Sequence, residues 1–140
     1  MEKPEILLID TTNLYSGVIY HGVEHKILKS GKFLFLTTDV NMGEIARVIK
    51  RNLDWDDEKI KELIANTPVI TIPSSVYSTK LFEANDLIGK RDPKDVPLVA
   101  LALRIENDGI FSSDTDFEVV KDRFRIWKGS ELLKFVGEKS

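Results

Sequence analysis

The sequence predicts a three-layer α/β/α fold with a central parallel sheet. Short apolar runs such as Ile6-Leu7-Leu8-Ile9 lack the alternation of a half-exposed strand, which marks them as buried on both faces, as parallel strands are. Segments of helical period separate these runs, and alternating strands and helices give a parallel sheet covered on both sides. No repeat, low-complexity tract or linker interrupts the 140 residues, so one domain over 1–140 is expected.

Residues 5–10 read as the first, central strand. Thr11 and Thr12 turn the chain, and a helix starts near Asn13. Gly17 and Gly22 weaken that helix, since glycine costs about 1 kcal/mol in a helix interior. A break is therefore expected before a second piece, Glu24–Lys29, which Ser30-Gly31 ends. Phe33–Leu36 is the second strand. A helix over 39–52 follows, with Ile45, Val48, Ile49 and Leu53 on one face. Residues 56–65 form a short helix with an Asp-rich start. Val69–Ile72 is a strand bounded by Pro68 and Pro73. Residues 75–88 read as one helix stopping at Gly89, and 90–95 as a loop. The helix over 96–107 stops before Gly109. Ile110–Ser113 is a strand, 115–121 a short helix, Arg125–Trp127 the last strand and Ser130–Val136 a terminal helix.

Composition narrows the function. A hydrophobic share of 42% supplies a core, and 31% charged residues keep the surface soluble. The absence of cysteine excludes disulfides, a zinc-thiolate site and a thiol nucleophile. No apolar run approaches the roughly 20 residues of a membrane span, and a secretory leader is not expected. A cytoplasmic protein with no membrane partner is expected. The formal charge of −3 lacks the basic excess of a nucleic-acid binder. Acids taken up by a metal would leave the remainder slightly positive, so the total does not decide the partner.

Asp10, Glu44, Asp95 and Asp114 carry the chemistry. Asp10 ends the first apolar run and Asp114 follows Gly109-Ile110-Phe111-Ser112-Ser113. In an open parallel sheet, strand ends and helix starts converge at one edge, where ligands bind. Carboxylates gathered there repel one another and raise one another's pKa. A hard divalent cation such as Mg²⁺ removes that cost, because it takes oxygen ligands. A metal-dependent phosphoryl-transfer site is therefore expected. Each acid also has a plainer reading. Asp10 suits a turn or a helix cap. Glu44 suits a solvated helix surface, although Val40 and Val48 lie four residues to either side on its line. Asp95 suits a cap before Pro97, yet it aligns with Leu98 and Ala102, and Asp92 stands close enough to replace it. Thr115 to Glu118 form a capping box, which accounts for those two residues but not for Asp114. Asp116 is the second choice there. Glu58, Glu62 and Glu83 read as solvated, and His21 and His25 as surface residues.

The arrangement resembles the PIN domain, a family of small metal-dependent nucleases. The resemblance rests on Leu7-Leu8-Ile9-Asp10-Thr11-Thr12-Asn13-Leu14, on Gly43-Glu44-Ile45, and on Asp92-Pro93-Lys94-Asp95-Val96-Pro97-Leu98-Val99-Ala100-Leu101-Ala102-Leu103. It is completed by Ile110-Phe111-Ser112-Ser113-Asp114-Thr115-Asp116-Phe117. It runs from residue 6 to about 128, and the last two blocks are the most diagnostic. It implies a PIN-like fold, with Asp10, Glu44, Asp95 and Asp114 as metal-binding acids and Asp116 as a frequent fifth. Ser112 matches a position usually Thr or Ser. Thr12 stands where many members carry Asn or Ser, a mild departure. The implied activity is Mg²⁺- or Mn²⁺-dependent endonuclease cleavage, most readily of RNA, leaving 5′-phosphate and 3′-hydroxyl ends. The resemblance also permits a homodimer, and a toxin role with an antitoxin protein as partner. The rival reading keeps the fold as a non-catalytic nucleic-acid- or protein-binding module.

Other acid-rich classes fit less well. A haloacid-dehalogenase-type phosphatase needs D-x-D at the first strand, where Thr12 stands instead. The paired acids of a receiver domain, a P-loop and an H-E-x-x-H motif are all absent. Lys90, Arg91 and Lys94 flank Asp92 and Asp95 and are expected to grip phosphates, with Thr12 and Ser112 contributing hydroxyls. Arg47, Lys50 and Arg51 extend that track, and Tyr15 and Tyr20 offer faces for base stacking.

Overall fold

A computed structural model describes residues 2–137. Five strands form one sheet in the order β3-β2-β1-β4-β5, every pair parallel. They are β1 (Ile6–Ile9), β2 (Leu34–Thr38), β3 (Val69–Ile72), β4 (Ile110–Phe111) and β5 (Ile126–Trp127). The central β1 is the wholly apolar run, with Leu7, Leu8 and Ile9 all 0% exposed. Its side chains serve the two faces alternately. Leu7 and Ile9 join Leu14, Ile27, Ile45 and Ile60 on one side, while Leu8 joins Tyr77, Ala84, Ile88 and Leu98 on the other.

Helices cover both faces. On the first lie α1 (Thr11–Ile19), α2 (Val23–Lys29), α3 (Asp39–Leu53), α4 (Asp57–Ala65) and, beyond β5, α8 (Gly129–Leu133). On the second lie α5 (Ser74–Tyr77), α6 (Leu81–Ala84) and α7 (Val96–Arg104). The α/β/α layering expected from the sequence is therefore present. Transfer of apolar surface from water, at about 25 cal/mol per Å², is what holds these layers on the sheet.

Several boundaries differ, each for a physical reason. The first helix starts at Thr11 rather than Asn13, because Asp10 itself caps it by accepting from Asn13 N. The second strand runs on to Thr38, since Thr37 and Thr38 pair with Thr71 and Ile72. The single helix expected over 75–88 is instead α5, a 3₁₀ turn at Ser78–Lys80, α6 and a wide π turn at Asn85–Gly89. The tightening and the widening keep Tyr77, Ala84 and Ile88 buried against α7, so packing overrides a straight helix. The helix after Asp95 ends at Arg104, not 107. The Asn107 amide donates to the carbonyls of Ala102 and Ile105, both at 3.0 Å, and closes that end. Gly109 has φ +129, and a Cβ there would lie 2.3 Å from the Arg125 carbonyl. Only glycine lets β4 begin so close to β5. The helix expected over 115–121 is a 3₁₀ run, Thr115–Val120, and the terminal helix stops at Leu133.

Candidate active site

The sheet order reverses direction at β1, and parallel sheets bind ligands in the crevice at such a switch point. Asp10 stands at its edge, 4% exposed. One carboxylate oxygen accepts from Asn13 N at 2.9 Å and the other from Ser112 Oγ at 2.5 Å. Burial pushes its pKa up to about 6 against the pull of those two bonds, and the Asp114 charge adds to the rise. Ser112 is fully buried. Its hydroxyl also accepts from Asp114 N at 3.0 Å, so it ties the ends of β1 and β4 together. The substrate contact expected of Ser112 is corrected: the side chain positions Asp10 and does not face the crevice.

Asp92, Asp95, Asp114 and Asp116 come together, each offering an oxygen within 4.8 Å of the others. The structure separates ligand-like groups from capping ones. Asp95 precedes α7 but makes no side-chain cap bond. Its Oδ2 is buried and has no hydrogen-bond partner among the described residues. Burial, and then the charges of Asp92, Asp114, Asp10 and Asp116, push its pKa up to about 8. The capping is done by Asp92, whose Oδ1 accepts from Lys94 N at 3.0 Å. Asp114 accepts from Asp116 N at 2.9 Å and caps the 3₁₀ run. The capping box expected at Thr115 is therefore not formed, because the preceding residue already fills the cap. Asp116 takes the Arg91 guanidinium at 2.8 Å. Arg91, expected to meet phosphate, is engaged with that acid instead.

Glu44 approaches from α3. Its Oε1 accepts from Thr11 Oγ1 at 2.8 Å, and that hydroxyl accepts in turn from Asn41 Nδ2 at 2.9 Å. Thr38 Oγ1 donates to Asn41 Oδ1 at 2.5 Å. A cavity of about 320 Å³ is lined by Asp10, Glu44, Asp92, Asp95 and Asp114, with Thr11, Thr12, Tyr15 and Lys94 also at its wall. All four acids singled out in the sequence thus meet at one cavity. Asp116 joins through its contacts with Asp92, Asp95 and Asp114. Lys90 is exposed and is not among the lining residues. Val40 is 47% exposed, so only Val48 of the pair flanking Glu44 reaches the cavity wall. His21 and His25 pack against one another with tilted rings, 4.6 Å between centroids, and neither lines the acidic cavity.

Thr11, Asn13, Thr38, Asn41 and the cavity-lining Asn52 were not singled out. Asn13 accepts from Ser113 N and Oγ, pinning α1 to the loop after β4. Thr38 and Asn41 show a readable signal, a threonine cap with a polar residue three positions on. Thr11 and Asn13 show none without the helix register that Asp10 sets.

The donors fit a divalent cation. They are all oxygens, which such ions prefer. The orphaned Asp95 oxygen and the raised pKa values show carboxylates that lack a positive partner.

Comparison with known proteins agrees with this geometry. No curated protein sequence matches the chain. The fold is similar to the crystal structure of VapC20 from Mycobacterium tuberculosis, a sarcin-ricin loop cleaving toxin. The TM-score is 0.62 at 16% identity, covering 86% of this chain and 96% of that one. Residues 8–127, which include every acid of the cavity, match the family described as PIN domain, and the chain belongs to that family.

Proposed function

We propose that this PIN domain is a metal-dependent endoribonuclease, with Mg²⁺ or Mn²⁺ held by Asp10, Asp95 and Asp114 and with Glu44 facing them. The observation that carries the proposal is the buried, partnerless oxygen of Asp95 inside a set of four carboxylates. A non-catalytic scaffold gains nothing from that arrangement, which costs about 1–3 kcal/mol for an unsatisfied buried group. When bound, the ion supplies Lewis acidity, lowering the pKa of a water and taking up charge on the scissile phosphate.

The chain's own residues do the rest. Ser112 and Asn13 N hold Asp10 so that both oxygens keep fixed directions. Thr11 holds one oxygen of Glu44, leaving the other to orient a water or to act as a proton acceptor. Lys94 and Thr12 stand at the wall, where a phosphate would meet an ammonium and a hydroxyl. Asp92 and Asp116 complete the negative field, the latter tempered by Arg91.

The similar structure bears the description of a sarcin-ricin loop cleaving toxin. An oligonucleotide with that loop is accordingly the first substrate to try, beside a pool of structured RNA. We further propose a toxin role, with an antitoxin protein as partner. The deciding experiment incubates both substrates with Mn²⁺, with and without chelator, using wild type and Asp10→Asn. Metal-dependent cleavage that the variant lacks is expected. Cleavage that survives the chelator, or that Asp10→Asn retains, would sink the proposal.

A further inference from the structure

A second recess, of about 200 Å³, lies beside the acidic cavity and shares Glu44 and Lys94 with it. Its other lining residues are Arg47, Val40, Pro93 and Pro97. We infer that Arg47 and Lys94 clamp a second phosphodiester of the RNA, the one next to the bond being cut. This rests on the nuclease reading and extends it to the direction in which the strand leaves the cavity, across Glu44 toward α3.

The pattern of ion pairs supports the assignment. Seven of the described cations pair with acids, among them Arg91 with Asp116, Lys50 with Asp57, Lys80 and Arg123 with Glu83, and Lys121 with Glu118. Among the described residues, the side chains of Arg47 and Lys94 have no such partner. Both are exposed, yet both border one recess. Arg47 is folded back along α3, its Nη1 only 3.6 Å from where a Cβ on Gly43 would sit. The guanidinium thus lies beside the turn that carries Glu44 while staying open to a ligand. A guanidinium grips two phosphate oxygens at once and an ammonium acts as a point charge. The remaining wall is Val40 and two prolines, whose side chains offer no hydrogen-bonding group to compete for the anion. A metal ion is disfavoured there, since Glu44 is the recess's one carboxylate.

The test measures binding of a short labelled single-stranded RNA by anisotropy, without metal, across a salt series. Arg47→Ala should weaken binding several-fold and flatten the log–log salt slope by about 0.7, the value for one phosphate contact in a single strand. Lys80→Ala removes the same charge from the Glu83 pair and should alter neither, which separates a local contact from net charge. A second arm compares kcat/KM on RNA with that on bis(p-nitrophenyl) phosphate, a diester with no neighbouring phosphate. Arg47→Ala should lower the RNA value about ten-fold more than the small diester's. An unchanged salt slope, a slope loss matching that of Lys80→Ala, or equal losses on the two substrates would overturn the clamp. A wild type that cuts neither substrate would overturn the nuclease reading, and the binding slope would still decide the clamp.

Discussion

Without metal, the protein should lose stability as pH rises from 5 to 8, and Mn²⁺ should reverse that trend. The sign follows from Asp10 and Asp95, whose folded pKa values are raised from 3.8 to about 6 and about 8. Between the unfolded and folded values the native state binds more protons than the unfolded chain, so the free energy of unfolding falls as pH rises. The contribution is complete below 3.8 and gone above about 6 for Asp10 and about 8 for Asp95. For Asp10, buried and fixed, the shift from 3.8 to about 6 corresponds to about 3 kcal/mol over the whole range. Of this, about 1.4 kcal/mol falls between pH 5 and 8. Asp95 acts in the same direction but is partly open to solvent, which screens it. Asp39, Asp108 and Glu131 have lowered values, so they act on the acid side, outside this window.

Urea unfolding in EDTA at intervals from pH 5 to 8, for wild type and Asp10→Asn, reads the effect. The variant keeps the acceptor for Asn13 N and carries no titrating group. Wild type should lose about 1–1.5 kcal/mol more than the variant across the window. With saturating Mn²⁺ wild type should gain stability with pH, since the ion binds deprotonated ligands and only the folded state assembles them. Parallel curves for the two proteins in EDTA, or a wild type that gains stability with pH there, would refute the reasoning.

Three further outcomes are expected. Asp95→Asn should abolish Mn²⁺-dependent cleavage yet leave metal-free stability at pH 7 unchanged or higher, because the carboxylate caps nothing; calorimetric Mn²⁺ titration and melting check both. Asp92→Asn should weaken Mn²⁺ binding less than Asp95→Asn while keeping its cap, which asparagine fills as well as aspartate. Thr11→Val should cut kcat on RNA more than it changes KM by releasing Glu44, and it should cost about 1–3 kcal/mol by leaving Asn41 Nδ2 unpaired. Thr11→Ser should restore both.

The layers were legible because the central strand is apolar throughout and helices such as α3 and α7 keep an apolar face. Asp10 and Asp114 were legible because a charge ending a buried run needs a reason. The choice between Asp92 and Asp95 was not settled by spacing, since either can precede a helix. It took the geometry to show that Asp92 accepts from Lys94 N and Asp95 from no described donor. The role of Ser112 was misassigned for a different reason. Its partner Asp10 lies 102 residues away, and only the β1–β4 pairing brings them together. The helix over 75–88 was misread because its interruptions serve contacts with α7, which no local propensity encodes.

The acids differ in how fully the protein satisfies them, and that difference orders their roles. Asp10 receives one local and one remote donor, Asn13 N and Ser112 Oγ. Asp114 receives the Asp116 amide, and Glu44 the Thr11 hydroxyl. These bonds lower the cost of keeping charge at the sheet edge, and they fix where the oxygens point. Asp95 receives none from the described residues and carries the largest upward shift among the site's acids. A fold selected only for stability would have given it a donor or replaced it, since consistency across levels fails mainly where function requires it. Among the described residues it has no partner, and an oxygen-seeking cation is what the surrounding charges favour. The site is therefore rigid at Asp10 and under electrostatic tension at Asp95. That combination lets ion binding be strong without first reorganising the strands that carry it.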